Sequence, residues 1–304
     1  MRIDNLSSPY ILTADIGGSH ITAGICDLST HTIAQQSIVR VEVDSKSSAD
    51  NILRSWGNTF NQVLKKHTAL PISGLSVAMP GPFDYATGIC YIKGLNKYEA
   101  LYGLDIKRYF AEFLNIDNQS VRFRNDAEST IAGEVLTGAG KGCQNVMGVT
   151  LGTGFGSAYS KNSITTDINL GSKPYRKTIA DDYFSTRWFV KSYQELTGVL
   201  LTGGVKELSG LAPESIIARD IFKEFAVNMS DFLSLYIEQM APEALIICGN
   251  IAKASEFFLP YLILRLNSIA IRLARLDENA PLIGAAAMFD GSGNQAYFNS
   301  ANQL

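Results

Sequence analysis

Ile11-Leu-Thr-Ala-Asp-Ile-Gly-Gly-Ser-His-Ile-Thr-Ala-Gly-Ile-Cys-Asp27 packs an apolar strand, a glycine turn and a second alternating strand into one short stretch. Gly17-Gly18 is a hairpin-turn dipeptide, because glycine enters φ > 0 without a Cβ clash. Two glycines followed by Ser19 also leave bare backbone N–H groups and a hydroxyl above the turn, which suits phosphate oxygens. Asp15, at the end of the first strand, then lies beside that phosphate, where a carboxylate is tolerated when Mg²⁺ stands between the two negative charges. The same residues suit a plain turn, so the phosphate reading needs a second feature.

The second feature is Asn145-Val-Met-Gly-Val-Thr-Leu-Gly-Thr-Gly-Phe-Gly-Ser-Ala-Tyr159, again strand, glycine turn and strand, with Gly152, Thr153 and Gly154 at the turn. One such device in each half of the chain points to a duplication and to a cleft that grips a polyphosphate from both sides. The stretch from Ile72 to Met79 reads as a buried strand stopped by Pro80-Gly81-Pro82, and a helical pattern from Asn51 to Lys66 precedes it. Strand, helix and strand imply a crossover and parallel pairing, hence an α/β sheet. Thr32 to Val43 reads as one further strand, Leu104 to Leu114 as a short helix, and Ile164 to Lys177 as an irregular loop. Trp188, Phe189 and Tyr193 mark a helix, as does, from Ser215 to Met240, the apolar stripe Ile217, Ile221, Phe225, Met229, Phe232, Tyr236 and Met240. Phe257 to Leu276 and Pro281 to Phe289 are two more, and the last fifteen residues read as a frayed tail. Lobes are expected at residues 1–124 and 125–304, with the helix at about 282–290 packing back on the first; the glycine-rich run Gly138 to Gly142 is a second candidate boundary.

Val121-Arg-Phe-Arg124 alternates and runs directly into Asn125-Asp126, after which the chain turns helical. In open α/β sheets ligands bind outside such strand ends. If a nucleoside triphosphate lies across the cleft, with its base near Gly249-Asn250, phosphoryl transfer asks for positioning, charge stabilisation and a base for the acceptor's proton. Asp126 is the candidate base, expected to be held ionised by the helix dipole. Asn125 offers a donor and an acceptor to adjacent sugar hydroxyls. An Asn-Asp pair also serves as a helix cap.

The 304 residues are 46% hydrophobic and 18% charged with a net charge of −3, as in an ordinary globular protein and without a basic field for nucleic acid or membrane. Cys26, Cys90, Cys143 and Cys248 are scattered, and the histidines are His20, His31 and His67. Neither a zinc site nor a disulfide framework is expected, and reduced thiols fit a cytoplasmic protein. The opening Met1 to Tyr10 is too polar for a secretory signal, and no apolar run reaches membrane-spanning length.

These motifs together resemble the ROK family of sugar kinases and repressors, within the actin-like ATPase and hexokinase superfamily. The resemblance runs through Asp15-Ile-Gly-Gly-Ser, Ala78-Met-Pro-Gly-Pro-Phe-Asp84, Asn125-Asp126-Ala127, Leu151-Gly-Thr-Gly-Phe-Gly156, Ile247-Cys-Gly-Asn250 and Leu282-Ile-Gly-Ala-Ala286. It implies an actin-like, ribonuclease H-like duplicated fold with two lobes and a central cleft. It also implies Asp126 as base towards a hexose 6-hydroxyl and Asn125 as a sugar ligand. Asp15, with Gly17, Gly18, Ser19, Gly152, Thr153, Gly154, Gly249 and Asn250, would handle Mg²⁺ and ATP. Asn96 falls where the family has a sugar-contacting Asn, and Asp181 where it has a sugar-binding Glu. His20 stands in place of a frequent Lys and reads as a hairpin surface residue. The family's Gly-Glu-x-Gly-His sugar motif and its Cys-rich zinc motif are missing between Ser157 and Ile179, so Asp181 would be held by packing alone.

The expectation is an ATP-dependent hexose kinase, glucokinase-like, with glucose the first substrate and an N-acetylhexosamine the second. The alternative is a catalytically silent sugar-binding or regulatory protein. A homodimer is usual in the family. The repressor branch carries an N-terminal helix-turn-helix, for which the residues before the first strand leave no room.

Overall fold

The opening hairpin is formed by β1 (Tyr10–Ile16) and β2 (His20–Asp27), antiparallel with Asp15 opposite Thr22. The structure, a computed structural model, describes residues 8–34 and 36–290. The tail expected over the last fifteen residues lies, beyond Asp290, outside them. The run from Thr32 to Val43 is not one strand but two, β3 (Thr32–Ile33) and β4 (Val39–Glu42), both antiparallel to β2. The interruption has a cause. Gln36 is left-handed at φ 63°, and the Ser37 hydroxyl accepts the Ile25 N–H at 3.0 Å, so this segment bonds sideways instead of continuing a ladder.

Ser48 caps α1 (Ala49–Lys66), whose apolar face carries the buried Trp56, Phe60 and Val63. The chain then enters β5 (Ile72–Met79), parallel to β1, and the small hairpin β6 (Phe83–Asp84) and β7 (Ile89–Cys90). Asp105 caps α2 (Ile106–Leu114), and β8 (Val121–Asn125) lies parallel to β5 before α3 (Asp126–Thr137). The order is β3-β2-β1-β5-β8, with β4 also on β2.

The second unit repeats this plan. β9 (Asn145–Leu151), β10 (Phe155–Lys161) and β11 (Ile164–Asp167) form an antiparallel meander. After it come the two-stranded β12 (Pro174–Tyr175) and β13 (Thr178–Ile179), then α4 (Thr186–Thr197), α5 (Gly204–Leu211) and the long α6 (Ile216–Met240). β14 (Ala244–Cys248) joins β9 in parallel, followed by α7 (Ser255–Arg265) and β15 (Ala270–Leu273), parallel to β14. The order β11-β10-β9-β14-β15 matches β3-β2-β1-β5-β8 in both sequence and direction of pairing. The fold is thus α/β and duplicated. Ile164 to Lys177, expected as an irregular loop, contains β11 and β12. The helix expected from Phe257 to Leu276 ends at Arg265 and gives way to β15, because Ala270 to Leu273 pairs with Ala244 to Ile247. α5 was not foreseen.

The chain closes with α8 (Asn279–Ala286), which packs on α3, β1 and β5. One compact unit therefore runs to Thr137 and resumes at Glu278; the other is Gly138–Asp277. The division falls after α3, not at 124/125, because α3 and α8 are in backbone contact. A Cβ on Gly133 would lie 2.1 Å from the Ala280 carbonyl oxygen, and one on Gly284 would lie 1.8 Å from that of Ser129. Gly284→Ala should cost about 3 kcal/mol, since neither backbone can yield. Gly210→Ala on α5, where a Cβ meets nothing within 4 Å, should gain ~0.5–1 kcal/mol. Urea denaturation of the two variants checks both signs.

Candidate active site

β1, β5 and β8 run parallel, so their carboxyl ends share one edge. Asp15 is level with Ala78, and Met79 with Asn125, which brings Asp15 and the Asn125-Asp126 junction to the same end of the sheet. Both aspartates are half-buried. Burial first, and then the negative charge of Asp126, push the Asp15 carboxyl from 3.8 up to about 7, against the opposing pull of Arg40. Burial also raises Asp126, opposed by the Ala127 N–H, 2.8 Å from its Oδ1, and by the Lys97 ammonium. The helix dipole was expected to hold Asp126 ionised. Desolvation outweighs it, and the carboxyl lies above the ordinary range. Asn125 does cap α3: its Oδ1 accepts the Glu128 N–H at 3.1 Å, while Nδ2 donates to the Tyr85 hydroxyl at 3.2 Å. That leaves one amide hydrogen free for a ligand.

The turn after β1 is closed by Gly17 N–H to the His20 carbonyl at 2.9 Å. Neither Gly17 nor Gly18 has a positive φ, contrary to the hairpin expectation. What bareness serves here is approach: a Cβ on Gly17 would lie 3.3 Å from the His20 ring, and one on Gly18 would lie 3.7 Å from Lys97 Cδ. Ser19 Oγ is 3.3 Å from His20 Nδ1. Beneath the turn the buried Tyr98 donates its hydroxyl to the Gly17 carbonyl at 2.5 Å and sets its ring 5.2 Å from that of Trp56. Asn96, two residues earlier, is exposed and left-handed at φ 57°.

In the second unit, the Gly152-Thr153-Gly154 turn is held from the side. The Thr186 N–H and hydroxyl both donate to the Gly152 carbonyl, at 2.8 and 2.9 Å. Phe155 N–H donates to Asp181 Oδ1 at 2.5 Å, and Asp181 Oδ2 is ion-paired to Arg187. Asp181 is therefore fixed by hydrogen bonding and charge, not by packing alone, and its carboxylate steadies the glycine turn. Gly249, at φ 92°, passes so close to β9 that a Cβ would lie 2.3 Å from the Leu151 carbonyl oxygen. Gly249 and the exposed Asn250 are thereby brought beside the same turn.

Hard carboxylate oxygens with an uncompensated charge are what Mg²⁺ takes alongside substrate phosphates. Asp15 fits that donor set. Among the described residues no group of three or more His, Cys, Asp or Glu could hold a metal ion.

The sequence profile of the ROK family matches residues 11–167, more than half of the chain. The protein belongs to the ROK family. No curated protein matches it in sequence. Solved structures do match this ROK protein in fold. The ROK hexokinase from Thermus thermophilus is 18% identical with a TM-score of 0.77, over 95% of this chain and 99% of the hexokinase. A ROK glucokinase from Streptomyces griseus, in complex with glucose and AMPPNP, is 20% identical with a TM-score of 0.75, over 92% and 98%. A ROK transcriptional regulator, homologous to the E. coli MLC protein, is 13% identical with a TM-score of 0.76, over 91% of this chain and 76% of the regulator. The fold is actin-like. No helix among the described residues is long and apolar enough to cross a membrane.

Four supporting residues carry no local signal in the sequence. In the first unit Tyr85 meets the Asn125 amide and Tyr98 the Gly17 carbonyl; in the second Thr186 meets the Gly152 carbonyl and Arg187 the Asp181 carboxylate. The raised Asp15 carboxyl sets a pH dependence. Its folded value lies above the ordinary one, so its stabilising effect is complete below ~4 and lost as pH rises through ~7. Asp15→Asn should therefore gain stability relative to the natural protein on going from about pH 5 to about pH 8, read from urea midpoints.

Proposed function

We propose that the protein is an ATP-dependent sugar kinase that phosphorylates the 6-hydroxyl of a hexose, glucose first and an N-acetylhexosamine second. The observation that carries this reading is the pairing of Asp126, at the first turn of α3, with Asp15 and the Gly17-Gly18 turn at one sheet edge. Phosphoryl transfer asks the protein chiefly for position and charge compensation. Asp126 accepts the hydroxyl proton, and its raised carboxyl suits a base better than an ordinary aspartate does. Asn125 and Asn96 bind sugar hydroxyls. Asp15 holds Mg²⁺, which when bound neutralises phosphate charge. The turns at Gly17-Gly18-Ser19 and Gly152-Thr153-Gly154 receive phosphate oxygens, and Gly249-Asn250 the nucleoside end. We assign Asp181 to holding the second turn.

A non-enzymatic sugar-binding or regulatory role is the second reading. It is favoured by the absence of Glu, His and Cys between Ser157 and Ile179, where the family's sugar motif falls. The two are separated by assaying a hexose panel with magnesium ATP, with polyphosphate as a substituted donor, alongside calorimetry for sugar binding. Asp126→Asn should lower turnover by about a thousandfold while sugar still binds. Binding without product in the natural protein would favour the regulatory reading, and undiminished turnover in Asp126→Asn would remove Asp126 as the base.

A further inference from the structure

Lys97 takes no part in the chemistry above, yet it reaches two of its components. Its stem lies over the glycine turn, within 3.7 Å of a Cβ position on Gly18, and its ammonium acts on the Asp126 carboxylate. The residues on either side are both left-handed, Asn96 at φ 57° and Tyr98 at φ 54°. A bulky aromatic rarely adopts that conformation, and such strain persists where the surroundings over-determine it. Here they do. Asn96 N–H donates to Glu99 Oε1 at 2.9 Å, Tyr98 N–H to the Ser45 carbonyl at 2.7 Å, and the Tyr98 hydroxyl to the Gly17 carbonyl at 2.5 Å. The loop is thus tied to the turn it overhangs. Arg40, the cation that acts on Asp15, is ion-paired with Glu278. Lys97 is half-buried and makes no hydrogen bond or ion pair among the described residues.

A cation whose stem lies over the Gly18 turn, whose charge acts on the proton acceptor and which makes no hydrogen bond or ion pair among the described residues matches a phosphate. We infer that Lys97 contacts the phosphoryl group in transit, an inference that rests on the kinase reading above. As the sugar oxygen–phosphorus bond forms, the bond from phosphorus to the departing diphosphate breaks, and the hydroxyl proton passes to Asp126. Lys97 transfers no proton. Its charge meets that building on the equatorial phosphoryl oxygens, and it keeps Asp126 from being protonated by the approach of that charge alone.

The test uses the full chain, Lys97→Met and Lys97→Arg, with melting curves to confirm that each folds. Calorimetry with magnesium tripolyphosphate is run beside steady-state turnover on a hexose from the panel. Lys97→Met should bind tripolyphosphate about tenfold more weakly and lose about a hundredfold in kcat with the sugar KM unchanged, and Lys97→Arg should restore most of both. Normal turnover and normal tripolyphosphate affinity in Lys97→Met overturn the inference and leave the kinase reading standing. A natural protein that makes no sugar phosphate, but whose tripolyphosphate affinity falls in Lys97→Met, overturns the kinase reading and retains Lys97 as a phosphate contact. A natural protein that binds no tripolyphosphate overturns the inference.

Discussion

Helices α3 and α8 meet backbone to backbone, and the placement of the site follows from that contact. At Gly133 and Gly284 even a methyl group would stand within 2.1 Å of a carbonyl oxygen, so only hydrogen fits. Three hydrogen bonds finish the joint: Thr13 Oγ1 to the Leu282 carbonyl at 2.7 Å, Arg124 Nη1 to that of Gly284 at 3.0 Å, and Ser129 Oγ to that of Pro281 at 3.2 Å. They join β1, β8, α3 and α8, which are the elements that carry or flank Asp15 and Asp126. Helix α8 thus helps fix the strand end that carries Asp15 and the helix start that carries Asp126. Burial first, and then the Asp126 charge, raises the Asp15 carboxyl. Protein interiors tolerate a buried carboxylate beside another when a cation or a proton relieves it.

The two glycine turns are the same device fastened in different ways. In the first unit the turn hangs on a phenol, Tyr98, whose ring is anchored among Trp56 and its neighbours. In the second it is fastened by the side chains that follow β13: Asp181 on the Phe155 N–H, and Thr186 on the Gly152 carbonyl. The pairing order of the strands is shared while the fastenings are not. This fits a duplication in which backbone geometry is retained and side-chain support is not.

Much of the fold was legible because it rests on periodicity and turn chemistry. The strands β1, β5, β9 and β14 are largely apolar runs, β2 and β8 alternate, and β10 follows a glycine turn, while α1 and α6 show regular apolar stripes. β15 was not legible. Ala270-Ile-Arg-Leu273 is four residues long, and its strand character comes from pairing with β14, not from any local pattern. β11 was missed for a similar reason, since Ile164-Thr-Thr-Asp167 is exposed at a sheet edge. The placement of Asp15, Asn125 and Asp126 at one end of the sheet was legible because strand ends and helix starts carry local signatures. Lys97 and Tyr98 were not, because nothing nearby marks them. Their meaning depends on a loop at residues 94–98 arriving over a turn at residues 17–18, a contact between distant segments.

The stretch where the family's zinc and sugar motifs are missing is nevertheless firmly built, and the way it is built bears on what Asp181 can do. Tyr175 packs its ring 5.0 Å from Tyr183, 5.3 Å from Phe184 and 5.3 Å from Phe232, while Arg176 stacks on Tyr175 and bonds Asn228 Oδ1 at 2.6 Å. Aromatic packing of this density holds β12 and β13 against α6, in a chain with no Cys between Cys143 and Cys248. Asp181 leaves that platform already bonded to a backbone N–H and an arginine. A carboxylate with both oxygens engaged gains little from a sugar hydroxyl, since a new bond would replace an existing charge-assisted one. In the first unit, by contrast, the Asn125 amide and the exposed Asn96 still have hydrogen-bonding capacity to offer.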